Sequence, residues 1–198
     1  MKNLLFISII SFGLISCGSD KSSGKSEKEV VITTHTLDTA LYTSKGKEIA
    51  QATFKTLSSK LKSAMQNGGV ENAISYCNIH ALPLTDSLSK VFDAKIQRIS
   101  HKPRNIKNAA NDEELTLITK YQNTHSTKPT LLSNEDKVIF YAPIYTKPLC
   151  LTCHGTVGET ITEKNYEVIK SFYPEDKATG FKVDELRGLW KITFENKN

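Results

Sequence analysis

Two cysteines and a histidine in the carboxyl-terminal third of the chain have the spacing of a prosthetic-group attachment site. Cys150 and Cys153 are separated by two residues, and His154 follows directly. Two thiols at this spacing can form thioether bonds with the two vinyl groups on one side of a porphyrin, and the next residue can offer an imidazole nitrogen to the iron. The pattern predicts one covalently attached haem c, with His154 as the proximal ligand.

Three other interpretations of these cysteines stay open at the level of sequence. A thioredoxin-like redox pair would lie at the start of a helix that follows a strand. A zinc site needs four ligands, and Cys77 is the only further thiol inside the domain. A disulfide within the pair, or from the pair to Cys77, is compatible with an exported protein. Haem attachment is favoured, because c-type attachment takes place on the outer side of the bacterial inner membrane, where an exported protein is found.

The amino terminus has the features of a bacterial lipoprotein signal. Lys2 supplies a positive charge, and residues 4–15 are almost all apolar but too few to span a bilayer. We expect residues 1–16 to be removed and Cys17 to be lipidated, so that acyl chains anchor the protein to a lipid bilayer. A plain anchor helix and an ordinary secretory signal are the alternatives. Gly18, in place of Asp, favours the outer membrane, with the domain facing the periplasm or the cell surface.

The rest of the chain divides into a tether and one domain. Residues 17–29 are rich in Ser, Gly and charged side chains, which is typical of a flexible linker. Residues 30–198 suit a single domain of ordinary size. The chain has 26 Lys and Arg against 21 Asp and Glu, a net charge of +5, and no basic run of the kind that tracks phosphates. Nucleic acid is therefore a poor candidate partner.

Hydrophobic spacing predicts an α+β domain in which helices come first and strands cluster later. A Gly-Gly pair should end the first helix, and an Asn–Glu capping pair should begin the fourth. The expected helices are Lys47–Asn67, Val70–Ile79, one from Pro83 to Val91, one from Asn111 to about Gln122, and Thr162–Phe172. The expected strands are Lys95–Ser100, Lys137–Tyr145 and Gly188–Phe194, and Lys102–Ala110 should be a polar loop.

Cys77 has no assigned role once lipid and haem are counted. It is either a small buried hydrophobic residue or the second axial ligand of the iron. Met65, His80, His101 and His125 are the other candidates for that ligand. Methionine would raise the reduction potential, and a thiolate would lower it.

Five short motifs occur together in an order that resembles a known family. That family consists of single-haem, c-type, PAS-like domains, long described as a domain of unknown function, which occur alone or as sensor modules ahead of signalling domains. The resemblance covers about Gly46 to Phe194. The motifs are Ala73–Cys77, Arg98–Ser100, Arg104–Asn108, Cys150–Gly155 and Arg187–Trp190.

The resemblance implies a PAS-like antiparallel sheet flanked by helices, with His154 and Cys77 as the two axial ligands. Arg98 and Arg104 lie in the part that matches the family's signature loop, and their physical role there would be to pair with the haem propionates. Ordinary ion pairing is the alternative for both. The chain departs from the family at Ile106, where a proline is usual, and it lacks a Trp in the segment that follows.

The function expected from these features is that of a redox or gas sensor, because a His/thiolate iron that loses its thiolate on reduction becomes a two-state element. Such a sensor would act through a separate signalling or redox partner. A periplasmic one-electron carrier is the alternative. A peroxidase-type enzyme would need an acid/base group, for which only His80 or His101 is available, so we expect no enzymatic activity. A homodimer through Lys47–Asn67 is a further expectation.

Overall fold

The computed structural model describes residues 37–195, which combine helices with a four-stranded sheet. The expected signal, the tether with Cys17, and the first residues of the expected domain lie outside this range. Within it, no helix is both long enough and apolar enough to cross a membrane. The elements are α1 (Thr39–Phe92), β1 (Lys95–Ile99), α2 (Asp112–Thr124), β2 (Thr130–Ser133), β3 (Lys137–Tyr145), α3 (Leu151–His154), α4 (Glu163–Phe172) and β4 (Leu186–Glu195), with 3-10 turns at Ile106–Asn108 and Pro148–Cys150.

The sheet is antiparallel throughout and has the strand order β1-β4-β3-β2. The predicted α+β class is confirmed. β3 has the bounds that the sequence predicts, and β1 and β4 differ from prediction by one or two residues at their ends. β2 was not predicted, because it is a short edge strand whose last two residues are exposed.

A break at Gly68 and Gly69 divides α1 into a first arm, residues 39–67, and a second arm, residues 70–92. Gly69 has a φ of 69°, a conformation that glycine adopts far more readily than other residues. The predicted helix stop at this Gly pair is confirmed. The amide side chain of Asn72 donates a hydrogen bond of 2.8 Å to the carbonyl of Ala64, which bridges the break.

Two predicted boundaries in α1 are wrong. The first arm begins at Thr39 and not at Lys47, because the Asp38 carboxylate accepts a hydrogen bond of 2.8 Å from the Leu41 amide and so caps the helix. The second arm also runs through Pro83 without a new start. A proline inside a helix has no N–H to donate to the carbonyl four residues earlier, and this helix accommodates that loss.

The first arm of α1 packs on one face of the sheet. At Gly46 the helix approaches so closely that a Cβ would lie 2.3 Å from the ring of Phe140, so only glycine fits there. The buried core on this face consists of Ile49, Ala50, Ala94, Ile96, Val138, Phe140, Trp190, Ile192 and Phe194.

The other face of the sheet is covered by α2. Tyr141 follows Phe140 directly and belongs to this second core, as the alternation of side chains along a strand requires. The predicted capping box is confirmed, since Asn111 and Glu114 exchange side-chain-to-backbone hydrogen bonds of 2.9 and 3.0 Å. The core here consists of Ile99, Ile118, Tyr121, Tyr141, Leu186 and Leu189.

Candidate functional site

A cavity of about 410 Å³ is bounded by both arms of α1, the ends of three strands, and the segment that contains α3. This volume falls within the range of small-molecule and cofactor pockets. Every site residue that the sequence predicts inside the described range lines this cavity. These residues are Cys77, Arg98, Arg104, Cys150, Cys153 and His154.

The two cysteines of the C-x-x-C-H motif lie on a tight turn that follows β3. The 3-10 turn ends at Cys150, and the single turn of α3 carries Cys153 and His154. Residues three positions apart on such a turn share one side of it, so both thiols can serve one ligand. Gly155 ends the turn, and a Cβ there would lie 2.8 Å from the carbonyl oxygen of Leu151.

The His154 imidazole is oriented by the backbone of a distant loop. Its Nδ1 lies 2.8 Å from the carbonyl oxygen of Ala178. A carbonyl only accepts, so Nδ1 carries the proton and Nε2 keeps a free lone pair. Burial, together with the positive charges of Arg187 and Arg104, holds the pKa of His154 well below its ordinary value. A neutral imidazole fixed through its second nitrogen is the arrangement that metal-ligating histidines use.

Cys77 reaches the cavity from the second arm of α1. Burial raises the pKa of its thiol, and the positive charges of Arg98 and Arg104 act in the opposite direction. A cluster formed by Ile74, Ile161, Ile169 and Tyr173, with Cys153 packed against it, holds the second arm to the motif segment. The structure therefore brings together two thiol-bearing segments that are more than 70 residues apart in the sequence.

Of the other candidate axial ligands, only Met65 lines the cavity. His80 stacks against the ring of Tyr76 at 4.7 Å, and its exposed position is outside the lining. His101 lies 3.2 Å from the side-chain amide of Gln122. His125 is the C-terminal cap of α2. The geometry leaves Cys77 and Met65 as the candidates for a second iron ligand.

The two predicted arginines differ in their partners. Arg104 is committed to protein acceptors, since it binds the Asp176 carboxylate at 3.1 and 3.2 Å and the carbonyl of Cys153 at 2.5 Å. The Arg98 side chain has no hydrogen bond or ion pair with any other residue of the range 37–195, while its backbone pairs with Trp190 in the sheet and burial lowers its pKa. The Arg98 side chain thus keeps its donors for an anionic ligand, whereas Arg104 has its Nε and Nη2 engaged by protein acceptors and keeps only Nη1.

A third arginine, Arg187, lines the cavity and was given no role by the sequence analysis. Its Nη1 donates to the hydroxyl of Ser100 at 2.8 Å and to the carbonyl of Lys102 at 3.0 Å, while its Nε is buried without a partner in the described range. Burial and the neighbouring Arg104 and Arg98 lower its pKa. In the sequence, the feature that marks Arg187 as a possible site residue is its place in the Arg187–Trp190 motif of the resembled family.

The alternatives for the cysteine pair find little support in this geometry. The pair does lie at the start of helix α3, which follows β3, as the thioredoxin-like interpretation requires, but α3 has only four residues and the antiparallel sheet of the described range contains no βαβ unit. Within residues 37–195, no group of three or more Cys, His, Asp or Glu side chains is arranged to hold a metal ion. Cys77, Cys150 and Cys153 are all free thiols.

Comparison with known proteins assigns the chain to a family. The model of the Tll0287-like family matches residues 24–194, and no curated protein matches. Among solved structures, the crystal structure of the cyanobacterial heme-protein Tll0287 is similar, with a TM-score of 0.52 and 18% sequence identity over 77% of this chain and 97% of that one. At this identity the match establishes a shared fold. The match of the family model over most of the chain establishes that this protein belongs to the Tll0287-like family.

Proposed function

We propose that this protein carries one haem c, bound through thioethers to Cys150 and Cys153, with His154 and Cys77 as axial ligands. The observation that carries the proposal is the convergence of these four side chains on one cavity. The similarity in fold to a heme-protein supports it. Bound there, the haem would supply a one-electron redox couple and, with a ligand position open, a site for a small gas molecule.

The residues around the cavity fit such a group. Arg98 lacks a protein acceptor in the described range, and the buried Nε of Arg187 lacks a partner. Of the three arginines in the lining, Arg104 is the one that pairs with a carboxylate of residues 37–195, that of Asp176. Two propionates would neutralise the excess positive charge, and buried charges are stable when they are paired. We assign the propionates to Arg98 and Arg187.

The function we infer is that of a sensor of redox state or of a diatomic gas, with a separate protein as its partner. Cys77 is the residue whose bond to the iron would change with the signal. It belongs to the second arm of α1, which meets the first arm at the break of Gly68 and Gly69 and is bonded to it there from Asn72 to Ala64. A change at Cys77 could therefore be passed along this helix.

A one-electron carrier is the second candidate. It is favoured by the exposure of the cavity lining, since the side chains of Phe54 and Leu149 are 58% and 51% exposed. A partner could approach a haem edge there. A carrier would keep both axial ligands in both oxidation states. We propose no enzymatic activity for either case.

Visible absorption spectra separate these proposals. The full chain is produced with the c-type maturation machinery, and its mass is compared with that of the chain produced without it. A sensor should show thiolate ligation in the ferric state and bind carbon monoxide after reduction. A carrier should keep its low-spin absorption bands after reduction and should not bind carbon monoxide. A colourless protein without added mass would contradict haem attachment itself.

Export and lipidation are a separate proposal that rests on the sequence alone. We propose that acylated Cys17 anchors the protein to the outer membrane of the cell envelope. The variant Cys17→Ser should move the protein from the membrane fraction to a soluble one. If both forms distribute alike, the lipid anchor is wrong and the haem proposal is unaffected.

A further inference from the structure

A loop of residues 176–181 lies against the motif and holds it by backbone hydrogen bonds. The amide of Gly180 donates to the carbonyl of Gly155 at 2.7 Å, and the amide of Phe181 donates to the carbonyl of His154 at 2.9 Å. The same loop supplies the Ala178 carbonyl that accepts from His154 Nδ1 at 2.8 Å. The orientation of the imidazole therefore depends on where this loop lies.

A buried ion pair fixes the loop. The Asp176 side chain is fully buried, and that of Arg104 is only 12% exposed. The carboxylate of Asp176 receives the Nε and Nη2 of Arg104 at 3.1 and 3.2 Å, and the amide of Ala178 at 2.9 Å. Two parallel bonds of this kind have a fixed geometry that a single ammonium cannot reproduce.

Arg104 also contacts the C-x-x-C-H motif and the loop of residues 176–181 directly. Its Nη2 donates to the carbonyl of Cys153 at 2.5 Å and lies 3.3 Å from the carbonyl of Ala178. The Ala178 carbonyl is thus shared between the guanidinium and the His154 ring. One side chain connects the motif, the loop and the carbonyl that holds the imidazole.

We propose that Arg104 and Asp176 are positioning residues, which fix the tautomer and direction of the His154 ring through the carbonyl of Ala178. This inference rests on the proposed function, because His154 is the proposed iron ligand. It replaces propionate binding as the main role of Arg104. Asp176 is outside the cavity lining, so its hydrogen bonds act on the imidazole through Arg104 and Ala178.

The test compares three variants of the full chain. Asp176→Asn weakens the ion pair, and Arg104→Lys keeps the positive charge but loses the two-pronged geometry. The control is Asp184→Asn, which breaks the ion pair of Lys147 and Asp184 next to the motif, where both side chains are more than two-thirds exposed. Circular dichroism reports whether each variant folds.

The first measurement is the ¹⁵N NMR spectrum of the His154 ring in the chain produced without haem. The wild type and the control should show the Nδ1–H tautomer alone, and both Asp176→Asn and Arg104→Lys should show a several-fold increase in the Nε2–H form. The second measurement is the ferric electron paramagnetic resonance spectrum of the haem-loaded proteins, whose g-values should change in the same two variants and not in the control.

The outcomes separate this inference from the haem proposal. An unchanged tautomer and unchanged g-values in both variants would overturn the positioning role while the haem proposal stands. If Arg104→Lys keeps both wild-type spectra and Asp176→Asn does not, Arg104 contributes only its positive charge, as in propionate pairing, and its positioning role is wrong. If the protein binds no haem, the tautomer measurement alone decides whether Arg104 and Asp176 position the ring. A wild-type His154 ring protonated on Nε2 would refute the inference even if neither variant folds.

Discussion

The chemistry of the site depends on what each side chain already binds. His154 has one nitrogen occupied by the Ala178 carbonyl, which leaves the other free for a metal. The Nε and Nη2 of Arg104 are engaged by protein acceptors, whereas the side chain of Arg98 has no such partner in the described range. Residues of the same type in one cavity are therefore suited to different tasks, and sequence spacing alone does not distinguish them.

Replacement of Cys77 by Ala should change the ferric absorption spectrum of the haem-loaded protein. The proposed thiolate would be lost, so the bands of thiolate ligation should disappear and the reduction potential should rise. Met65→Leu is the matched control, because Met65 lines the same cavity and is the other candidate ligand. An altered spectrum in Met65→Leu with no change in Cys77→Ala would reverse the assignment.

Neutralising the arginines that we assign to the propionates should lower the reduction potential. Arg98→Gln and Arg187→Gln each remove a positive charge that favours the reduced haem. A unit charge at roughly 10 Å in an effective dielectric of about 20 contributes about 1.7 kcal/mol, which corresponds to a shift of tens of millivolts for one electron. Potentiometric titration measures the shift.

Lys128→Gln is the control for this charge effect, because Lys128 is exposed and does not line the cavity. It removes the same charge far from the site, where solvent and salt screen it. Equal shifts in all three variants would mean that Arg98 and Arg187 have no special relation to the propionates.

At the scale of elements, the sequence predicted what is encoded locally. The Gly68–Gly69 break and the capping box of α2 depend on residues a few positions apart, and both are confirmed. The continuation of α1 through Pro83 depends on tertiary packing that overrides a local stop signal. The strand β2 is stabilised by pairing with β3 more than by its own composition.

The site was predictable only where its residues form a motif. The spacing of Cys150, Cys153 and His154 is typical of haem attachment. The presence of Cys77 in the same site was implied only by the family resemblance. The pairing of Arg104 with Asp176 joins residues 72 positions apart. No short pattern carries that information, because only the folded chain brings the two side chains together.

The turn that presents the motif should tolerate no side chain at its end. In Gly155→Ala the new Cβ would lie 1.9 Å from the Thr160 hydroxyl and 2.8 Å from the carbonyl oxygen of Leu151, and the backbone contact cannot rotate away. We expect a loss of about 2 kcal/mol in the free energy of unfolding and a lower yield of haem attachment. Denaturant unfolding and the ratio of haem absorbance to protein measure these effects.

Gly69→Ala provides the comparison for this change. It meets no atom within 4 Å, and its cost arises from the backbone alone, since φ 69° with ψ −162° is a conformation essentially restricted to glycine, on the order of 2 kcal/mol. Because Gly69 lies in the break of α1, the attachment yield should stay at the wild-type level. Equal losses of yield in both variants would show that attachment follows overall stability and not the shape of the turn.

At the scale of the whole molecule, the sheet separates two regions with different tasks. The face under α1 continues into the cavity, since Ile144 both packs against that core and lines the cavity. The face under α2 reaches the lining through Tyr145, whereas Ile118 and Tyr121 of its core are absent from the lining. Changes at Ile118, Tyr121 or Tyr141 can therefore be used to measure stability apart from the proposed haem chemistry.

Stability should fall in alkaline solution because of Tyr141 on this second face. The ring is 4% exposed, and burial together with the charges of Glu114 and Glu113 raises its pKa to about 12. The phenol of an unfolded chain ionises near pH 10, so the folded state disfavours the charged form. The free energy of unfolding should be constant with respect to this group below about pH 10 and then decrease by on the order of 2 kcal/mol up to pH 12.

The variant Tyr141→Phe isolates this contribution. Burial also raises the pKa of Tyr121 and Tyr145, so the variant should keep part of the alkaline decrease and lose the part due to Tyr141. Urea unfolding of both proteins from pH 7 to 12 gives the comparison. The difference between them should be constant up to about pH 10 and should then move in favour of the variant, because Phe has no proton to lose. Parallel curves across the whole range would mean that the Tyr141 phenol ionises as readily in the folded chain as in the unfolded one, and that α2 does not seal this face of the sheet from water.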